Sequence, residues 1–407
     1  TSQVNSDLLQ DTISPLQIGQ VISQTQMDHA LLLLSDVSGV VVKASLKPGD
    51  MVGTSDLQVQ TKPGPSITAN VVLDGYGNRY TGRERIGSTL NVNNPLLQHG
   101  DTLNLSGLSS GSGMNYGRIA YESLLNGQGT RVGAAYSALN YALGAPLAAL
   151  NANGTAKVSS LWVRQPLLRS RNLNVYGLIQ YDELQLRDHI DASAIRTDRS
   201  LKNWTISLTG DTTDPLGAGG MNSWGLGWTQ GRVGFDDNAA QLADASTANT
   251  QGNFLKWNIR LDRLQALGAK DSLYLAFSGQ WANTNLDTSN KMSLGGPYTV
   301  RAYDVGSVSG DAGYLVSAEY RHDLGQAGSG QWQAVAFVDS ASIKINHNTW
   351  TTGENSATLG GAGVGLNWRG SDQWSAKLYV ATPVGSNPEL VGSTHSTRGW
   401  VEVSRRF

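Results

Sequence analysis

A chain without a single cysteine must draw any chemistry from histidine, carboxylates, hydroxyls and guanidinium groups. Its six histidines, His29, His99, His189, His322, His347 and His395, are scattered without metal-ligand spacing, so neither a zinc site nor a cofactor is expected. The nearest approach to a Ser/His/Asp or Asp/His constellation is His189 with Asp188 and Asp191, in a stretch read as a long loop. Gly360-Gly361-Ala362-Gly363 lies on a strand pattern and precedes no helix, so it reads as a place of curvature or close approach, not as a phosphate loop. What stands out is Leu294–Val305, which has the period of neither a helix nor a half-buried strand. Gly295-Gly296-Pro297 makes a sharp turn, because glycine accepts positive φ and proline presets its own. Val300-Arg301-Ala302-Tyr303 then presents one cation from a loop tip. The plain reading is a solvated loop arginine, and the sharper one is an anchor. No catalytic residue is assigned, and the chain is not expected to be an enzyme.

The elements that would hold such a loop follow from the bulk sequence. At 407 residues the chain is large enough for one big unit or two to three domains. Charged residues are only 15%, yet 39% hydrophobic content and 11 Trp exclude a disordered chain. A net charge of −2 leaves no footprint for nucleic acid. Absence of cysteine suits a secreted or cell-envelope protein. No apolar run is longer than that of Ala30–Leu34, far short of the roughly 18–20 residues a spanning helix needs. A membrane β-barrel is compatible with the mean hydropathy of −0.26, because its strands alternate faces. Thr1 opens the chain without a basic or apolar leader, so an export signal is expected to have been removed.

Residues 1–65 read as a small α+β module. Ser14-Pro15 looks like a helix start, apolar residues cluster at helical spacing over Met27–Val37, and Gly39 is a plausible stop. Val40–Leu46 and Leu57–Gln60 are strand-like, separated by the turn residues Lys47-Pro48-Gly49-Asp50. Lys62-Pro63-Gly64-Pro65 reads as a short stiff linker.

From Ser66 onward helical signals vanish and alternation takes over. Leu255, Trp257, Ile259 and Leu261 interleave with Lys256, Asn258, Arg260 and Asp262, and Trp374, Ala376, Leu378 and Val380 interleave with Ser375, Lys377 and Tyr379. Strands are predicted near 66–74, 83–92, 101–108, 114–123, 131–140, 156–164, 172–183, 200–210, 220–230, 252–263, 271–282, 312–323, 332–343, 357–369, 373–383 and 396–407. That is about sixteen, an even number, as single-chain bacterial barrels require. Short connections such as Gln165–Arg171 alternate with long ones, Tyr141–Thr155, Leu184–Arg199, Gly231–Gln251 and Asn283–Asp311. Tight turns on one rim and long loops on the other are the asymmetry of an outer-membrane barrel. The last strand, Gly399–Phe407, is read with its odd positions toward lipid and its terminal aromatic in the interfacial girdle. Acidic pairs such as Asp182-Glu183 are then loop or lumen charges.

Three elements resemble one family. Gly295-Gly296 followed by Val300-Arg301-Ala302-Tyr303 resembles the GG…VRG[FY] loop. Ala336-Phe337-Val338-Asp339 is similar to an F-x-D segment on a following strand, and Phe407 to the terminal sorting signal of assembled barrels. With the preceding module, the chain resembles a two-partner secretion transporter, the TpsB type of haemolysin and filamentous-haemagglutinin exporters. The resemblance implies an all-β transmembrane barrel of about sixteen antiparallel strands over 66–407 and a POTRA-like periplasmic module over 1–65. It implies that the 283–311 loop tucks into the pore, where Arg301 pairs with Asp339, with Phe337, Glu319 and Arg321 alongside on the lumen wall. It implies a secreted TpsA-type exoprotein as partner, outer-membrane lipid around the barrel, and the barrel-assembly machinery during biogenesis. The alternatives are a barrel-assembly factor of the same superfamily, a rim hydrolase and a plain porin. Ala302 stands where the family has glycine, which bears on whether that position takes positive φ. The family's first POTRA domain and plug helix are not recognisable in residues 1–65.

Overall fold

A computed structural model describes residues 4–16, 21–50, 54–144, 146–386, 388–391 and 396–407. The N-terminal part holds α1 (Ser6–Ile13), α2 (Gln24–Ser35), and a two-stranded antiparallel sheet of β1 (Val40–Pro48) and β2 (Ser55–Pro63). Asn5 caps α1 by accepting from the Asp7 amide, so the first helix begins earlier than the Ser14-Pro15 reading. Ser14 is instead its C-terminal cap, and a proline after a helix end serves as a stop. Ser23 and Gln26 form a reciprocal capping box on α2, and Gly39 takes φ +75° beyond its end. The module therefore carries two helices where one was expected.

Among the described residues sixteen long strands follow. The first half comprises β3 (Ile67–Asp74), β4 (Arg85–Asn93), β5 (Thr102–Ser109), β6 (Met114–Leu124), β7 (Arg131–Ala142), β8 (Ala152–Arg169), β9 (Leu173–Ile190) and β10 (Ile195–Asp214). β11 (Gly220–Phe235), helix α3 (Asn238–Ala245), β12 (Gly252–Ala266) and β13 (Asp271–Ala282) come next. After the short pair β14 (Met292–Leu294) and β15 (Val308–Gly310), the barrel resumes with β16 (Ala312–Ala327), β17 (Gly330–Lys344), β18 (Ser356–Gly370), β19 (Trp374–Pro383) and β20 (Arg398–Arg406). Each barrel strand pairs antiparallel with its neighbours in order, and β20 closes onto β3, so the barrel sheet has no open edge. The closing seam spans only Glu402↔Asp74 to Arg406↔Asn70, whereas β10 and β11 pair from Arg199↔Phe235 to Asp214↔Gly220.

The rims differ as the spacing predicts, with two corrections: helix α3 occupies part of the 236–251 connection, where no helix was expected, and one predicted long loop is strand. Connections such as 170–172, 267–270 and 328–329 are tight, and 236–251 and 283–311 are long on the opposite rim. The stretch Leu184–Arg199 is not a loop: β9 and β10 run through it and turn at 191–194. Polar residues there made strand look like loop, because the outer face of the hairpin meets water while its inner face buries Leu186 and Arg199 against the in-folded loop. In β20, Val401 is outward and exposed while Trp400 is buried inside. Phe407 stays 62% exposed, exchanges backbone bonds with Ala69, and lies under the Arg405 guanidinium.

The N-terminal module sits against the tight-turn rim. Val4, Leu9, Leu34 and Val37 share one apolar cluster with Leu124 at the end of β6. Buried Arg131 on β7 donates to the carbonyls of Gly100 (3.2 Å) and Asp36 (2.8 Å), the latter at the C-terminal end of α2. Arg169 grips the Asp36 carboxylate at 2.7 and 2.8 Å, and Arg171 pairs with Asp28 at 2.7 Å. The rim turn beneath is tied by Asp101. Burial alone would raise its pKa, but the amides of Leu96, Leu97 and His99 and the Tyr121 hydroxyl hold it below the ordinary carboxylate value.

Candidate functional site

The site is built on the 283–311 excursion between β13 and β16. Its stem is pinned by a fully buried carboxylate: Asp311 accepts from the Leu286 amide (3.0 Å), the His347 amide (2.8 Å) and Lys291 Nζ (3.0 Å). The Gln280 side chain donates to the carbonyls of Asn290 and Asp311. Gly295 and Gly296 both take positive φ, +98° and +106°, and a Cβ on Gly295 would stand 2.2 Å from the Asp304 carbonyl. With Pro297 they turn the chain so that the Gly296 amide meets the Tyr303 carbonyl at 3.0 Å. Ala302 is not among the positive-φ residues, so a side chain there meets no backbone conflict.

The tip packs as a plug of side chains against the wall. Val300, Ala302 and Tyr303 are fully buried and share a core with Val335, Phe337, Ala341 and Leu359 on β17 and β18. Gly361 makes room for them, since a Cβ on it would lie 2.7 Å from that of Ala302. Close approach, not phosphate binding, is what that glycine run provides.

Arg301 is 4% exposed and is held from every side. Its Nε and Nη2 reach the two oxygens of Asp339 at 2.9 and 2.7 Å, and its backbone amide adds a third bond to the same carboxylate at 3.1 Å. Nη1 reaches Glu319 at 2.6 Å, and Nη2 also donates to Ser317, whose hydroxyl in turn donates to Asp339 at 2.7 Å. Arg321 holds the other oxygen of Glu319 at 2.5 Å, so two guanidinium groups face two carboxylates. The plane of Arg301 lies over the Phe337 ring at 3.4 Å, with Tyr379 at 5.6 Å. A planar fork with both oxygens, a second acid and a ring fixes orientation as well as position.

Ser317, Trp400 and Asp304 complete the site without having been marked in the sequence. The Trp400 indole donates to the Arg301 carbonyl at 2.7 Å. Asp304 faces three arginines, Arg398 on β20 at 3.1 Å and, on the β3–β4 loop, Arg83 at 3.4 Å and Arg79 at 3.9 Å. On that loop Asn78 bonds the Val305 carbonyl at 2.8 Å, and Tyr76 packs edge-on against Tyr298 and Trp400. Burial pushes the Tyr76 phenol up. The tucked loop thus touches both sides of the short β3–β20 seam. Only chain distance hid these partners, since Asp304 and Trp400 carry no local pattern.

The sequence of this chain matches a known family. Residues 53–368 match the family described as haemolysin secretion/activation protein ShlB/FhaC/HecB. The chain belongs to that family. It is an outer-membrane β-barrel transporter of two-partner secretion, with its N-terminal module in the periplasm. It is 26% identical over 392 residues to the heme/hemopexin transporter protein HuxB of Haemophilus influenzae, spanning 95% of this chain and 68% of that protein. It is 23% identical over 330 residues to the outer membrane transporter CdiB-2 of Burkholderia pseudomallei, spanning 78% and 55%. Among solved structures, CdiB from Escherichia coli superposes with a TM-score of 0.81 at 19% identity, covering 99% of this chain and 74% of that one. BamA from Haemophilus ducreyi lacking POTRA domains 1–3 gives 0.66 at 13% identity, covering 99% and 82%, and shares the fold.

The hydrolytic candidate does not assemble as a loop site in this transporter. His189 lies within β9 and contacts Asp198 at 3.3 Å, while Asp188 is engaged by Tyr141 and Arg199 and Asp191 by Asn151. Among the described residues no group of His, Asp and Glu could hold a metal ion, and His395 lies outside them.

Proposed function

We propose that this transporter moves an unfolded, β-helical partner protein of the TpsA type through the barrel lumen, without catalysis. Residues 1–65 act as a POTRA-like receiving module and 66–407 as the conduit. A two-stranded sheet with free edges suits capture by strand addition, in which main-chain bonds give affinity and little sequence is demanded. The name of the Haemophilus relatives makes an exoprotein engaged with haem or hemopexin the first cargo to try.

The observation that carries this reading is the tucked loop. A passive pore needs no 29-residue excursion fixed to the inside wall by a buried ion network, whereas a conduit for a chain needs a part that moves aside. The network is neutral: it closes around Arg301 when the loop is seated, and when the loop leaves the wall pairs Arg321–Glu319 and Ser317–Asp339 remain. Substituting Arg301→Ala should cut secretion of the partner while the barrel remains inserted and heat-modifiable. Undiminished secretion would remove the loop from the mechanism. Excising the periplasmic module should abolish export and leave pore conductance, which separates a transporter from a porin.

A further inference from the structure

The outward faces of β8 to β12 change character within one row of residues. Which face is outward is set from inside. Leu186, Leu201, Val233 and Phe254 are buried against Leu286 of the in-folded loop, so their chain neighbours point away from the lumen. Across the sheet Leu161, Tyr181, Trp204, Gln230 and Leu255 then stand in one outward register row. Trp204 is 55% exposed, and its ring lies 4.9 Å from that of Tyr181. The row beneath continues with Ile206, Trp228, Trp257 and Trp281. A belt of Tyr and Trp marks where the apolar band of a barrel meets the head groups.

One row above that belt, toward the long-loop rim, stand Ser159, Glu183, Lys202, Arg232 and Asn253, and Lys157 opens the next row. Lys202 and Arg232 are direct cross-strand partners, an arrangement that like charges disfavour unless an anion lies between them. Among the described residues no carboxylate stands between them, Glu183 lying on the far side of Lys202. Among the described residues Lys157, Lys202 and Arg232 enter no ion pair, although Glu183 is the register partner of Lys202. Higher on the same face Arg187 is neutralised, by Asp198 at 3.6 Å and Asp236 at 2.5 Å. Three cations against one carboxylate, exposed just above an aromatic belt, are complementary to the surface the belt rests in.

We propose that Lys157, Lys202 and Arg232 bind phosphate-bearing lipid head groups of the outer leaflet. Neighbouring strands lie about 4.8 Å apart, which puts Lys202 and Arg232 within reach of one phosphate. The guanidinium takes two phosphate oxygens and the ammonium acts as a point charge. Such a contact grips the tall β8–β11 wall at a fixed height in the membrane, on the side where apolar packing of Leu286 against Leu201 also holds the loop stem to β10.

The test titrates the purified full chain in detergent with a diphosphorylated glycolipid and with the same lipid stripped of phosphate, read by native mass spectrometry. The phosphorylated form should bind the wild type more tightly. Each of Lys157→Gln, Lys202→Gln and Arg232→Gln should weaken it about fivefold, the scale of one cation at a lipid surface, and the triple variant about a hundredfold. Arg187→Gln, already neutralised within the chain, should change it less than about twofold. Heat-modifiable mobility reports folding, and the single variants carry the test if the triple one fails to fold. Unchanged binding in the folded variants, or equal binding of the stripped lipid, overturns the proposal. Displacement of the lipid by millimolar inorganic phosphate would assign the cluster to free anions and overturn it as well.

Discussion

Arg301 illustrates why charge alone does not specify an anchor. Four of its five N–H groups find acceptors, on Asp339, Glu319 and Ser317, and the flat of the group rests on Phe337. Lysine would keep the charge and lose the fork and the stacking surface. Removing one partner of a buried pair strands the other, at a cost of about 3–5 kcal/mol. Both Arg301→Ala and Arg301→Lys should therefore lower the temperature at which the barrel loses heat-modifiable mobility, with lysine recovering less than half of the loss. In a double-mutant cycle with Asp339→Asn, the coupling should exceed about 0.5 kcal/mol, the bound for independent sites. Additive losses would mean that the two side chains are neighbours without being partners.

At the level of elements, the loop is seated by shape as much as by charge. The apolar tip, Val300, Ala302 and Tyr303, enters a recess that exists because position 361 has no side chain. Gly361→Val adds three carbons against the Cβ of Ala302, and overpacking of this kind costs about 1–3 kcal/mol. The expected result is a raised single-channel conductance, as the tip is pushed off the wall, with strand pairing intact. Since the chain has no cysteine, a single introduced thiol can carry a spin label to follow the tip directly. Conductance equal to the wild type would show that the recess tolerates the larger residue. Much of this was legible in the residues themselves. Alternation such as Leu255 to Leu261 marks strands wherever one face meets lipid, and Gly295-Gly296-Pro297 marks a turn that few other residues could make. Alternation fails where the outer face meets water and charged Arg199 shares the inner face with Leu186, which is why the tall β9–β10 hairpin reads as a loop. It also fails for α1, where Asn5 and Ser14 are interchangeable as caps until the packing of Leu9 decides which turn is helical. Asp339 was reachable through the F-x-D resemblance, but the other partners of the loop, Trp400 on the wall and Arg398 beside the seam, follow from register around a closed cylinder, which no local window contains.

At the scale of the molecule, the docking of the module sets the terms on which the periplasmic rim and the in-folded loop can be coupled. Two exposed pairs, Arg169 with Asp36 and Arg171 with Asp28, catch the eye, but such pairs contribute about 0–1 kcal/mol each and are screened by salt. Buried Arg131 is a different case. It joins the last turn of α2, the rim carbonyl of Gly100 and the lumen acid Glu122, and Glu122 also holds the Trp162 indole and Arg164. Its loss would leave buried carbonyls without donors, each worth about 1–3 kcal/mol. Removing Arg169 and Arg171 together should change secretion less than about threefold, mainly at low salt. Arg131→Ala should release the module, broadening the distance distribution between spin labels on α2 and β7, and should reduce secretion at any salt concentration. If the module stays as ordered in Arg131→Ala as in the wild type, the apolar contact of Val37 and Leu34 with Leu124 is sufficient to dock it, and the buried cation belongs to the lumen alone.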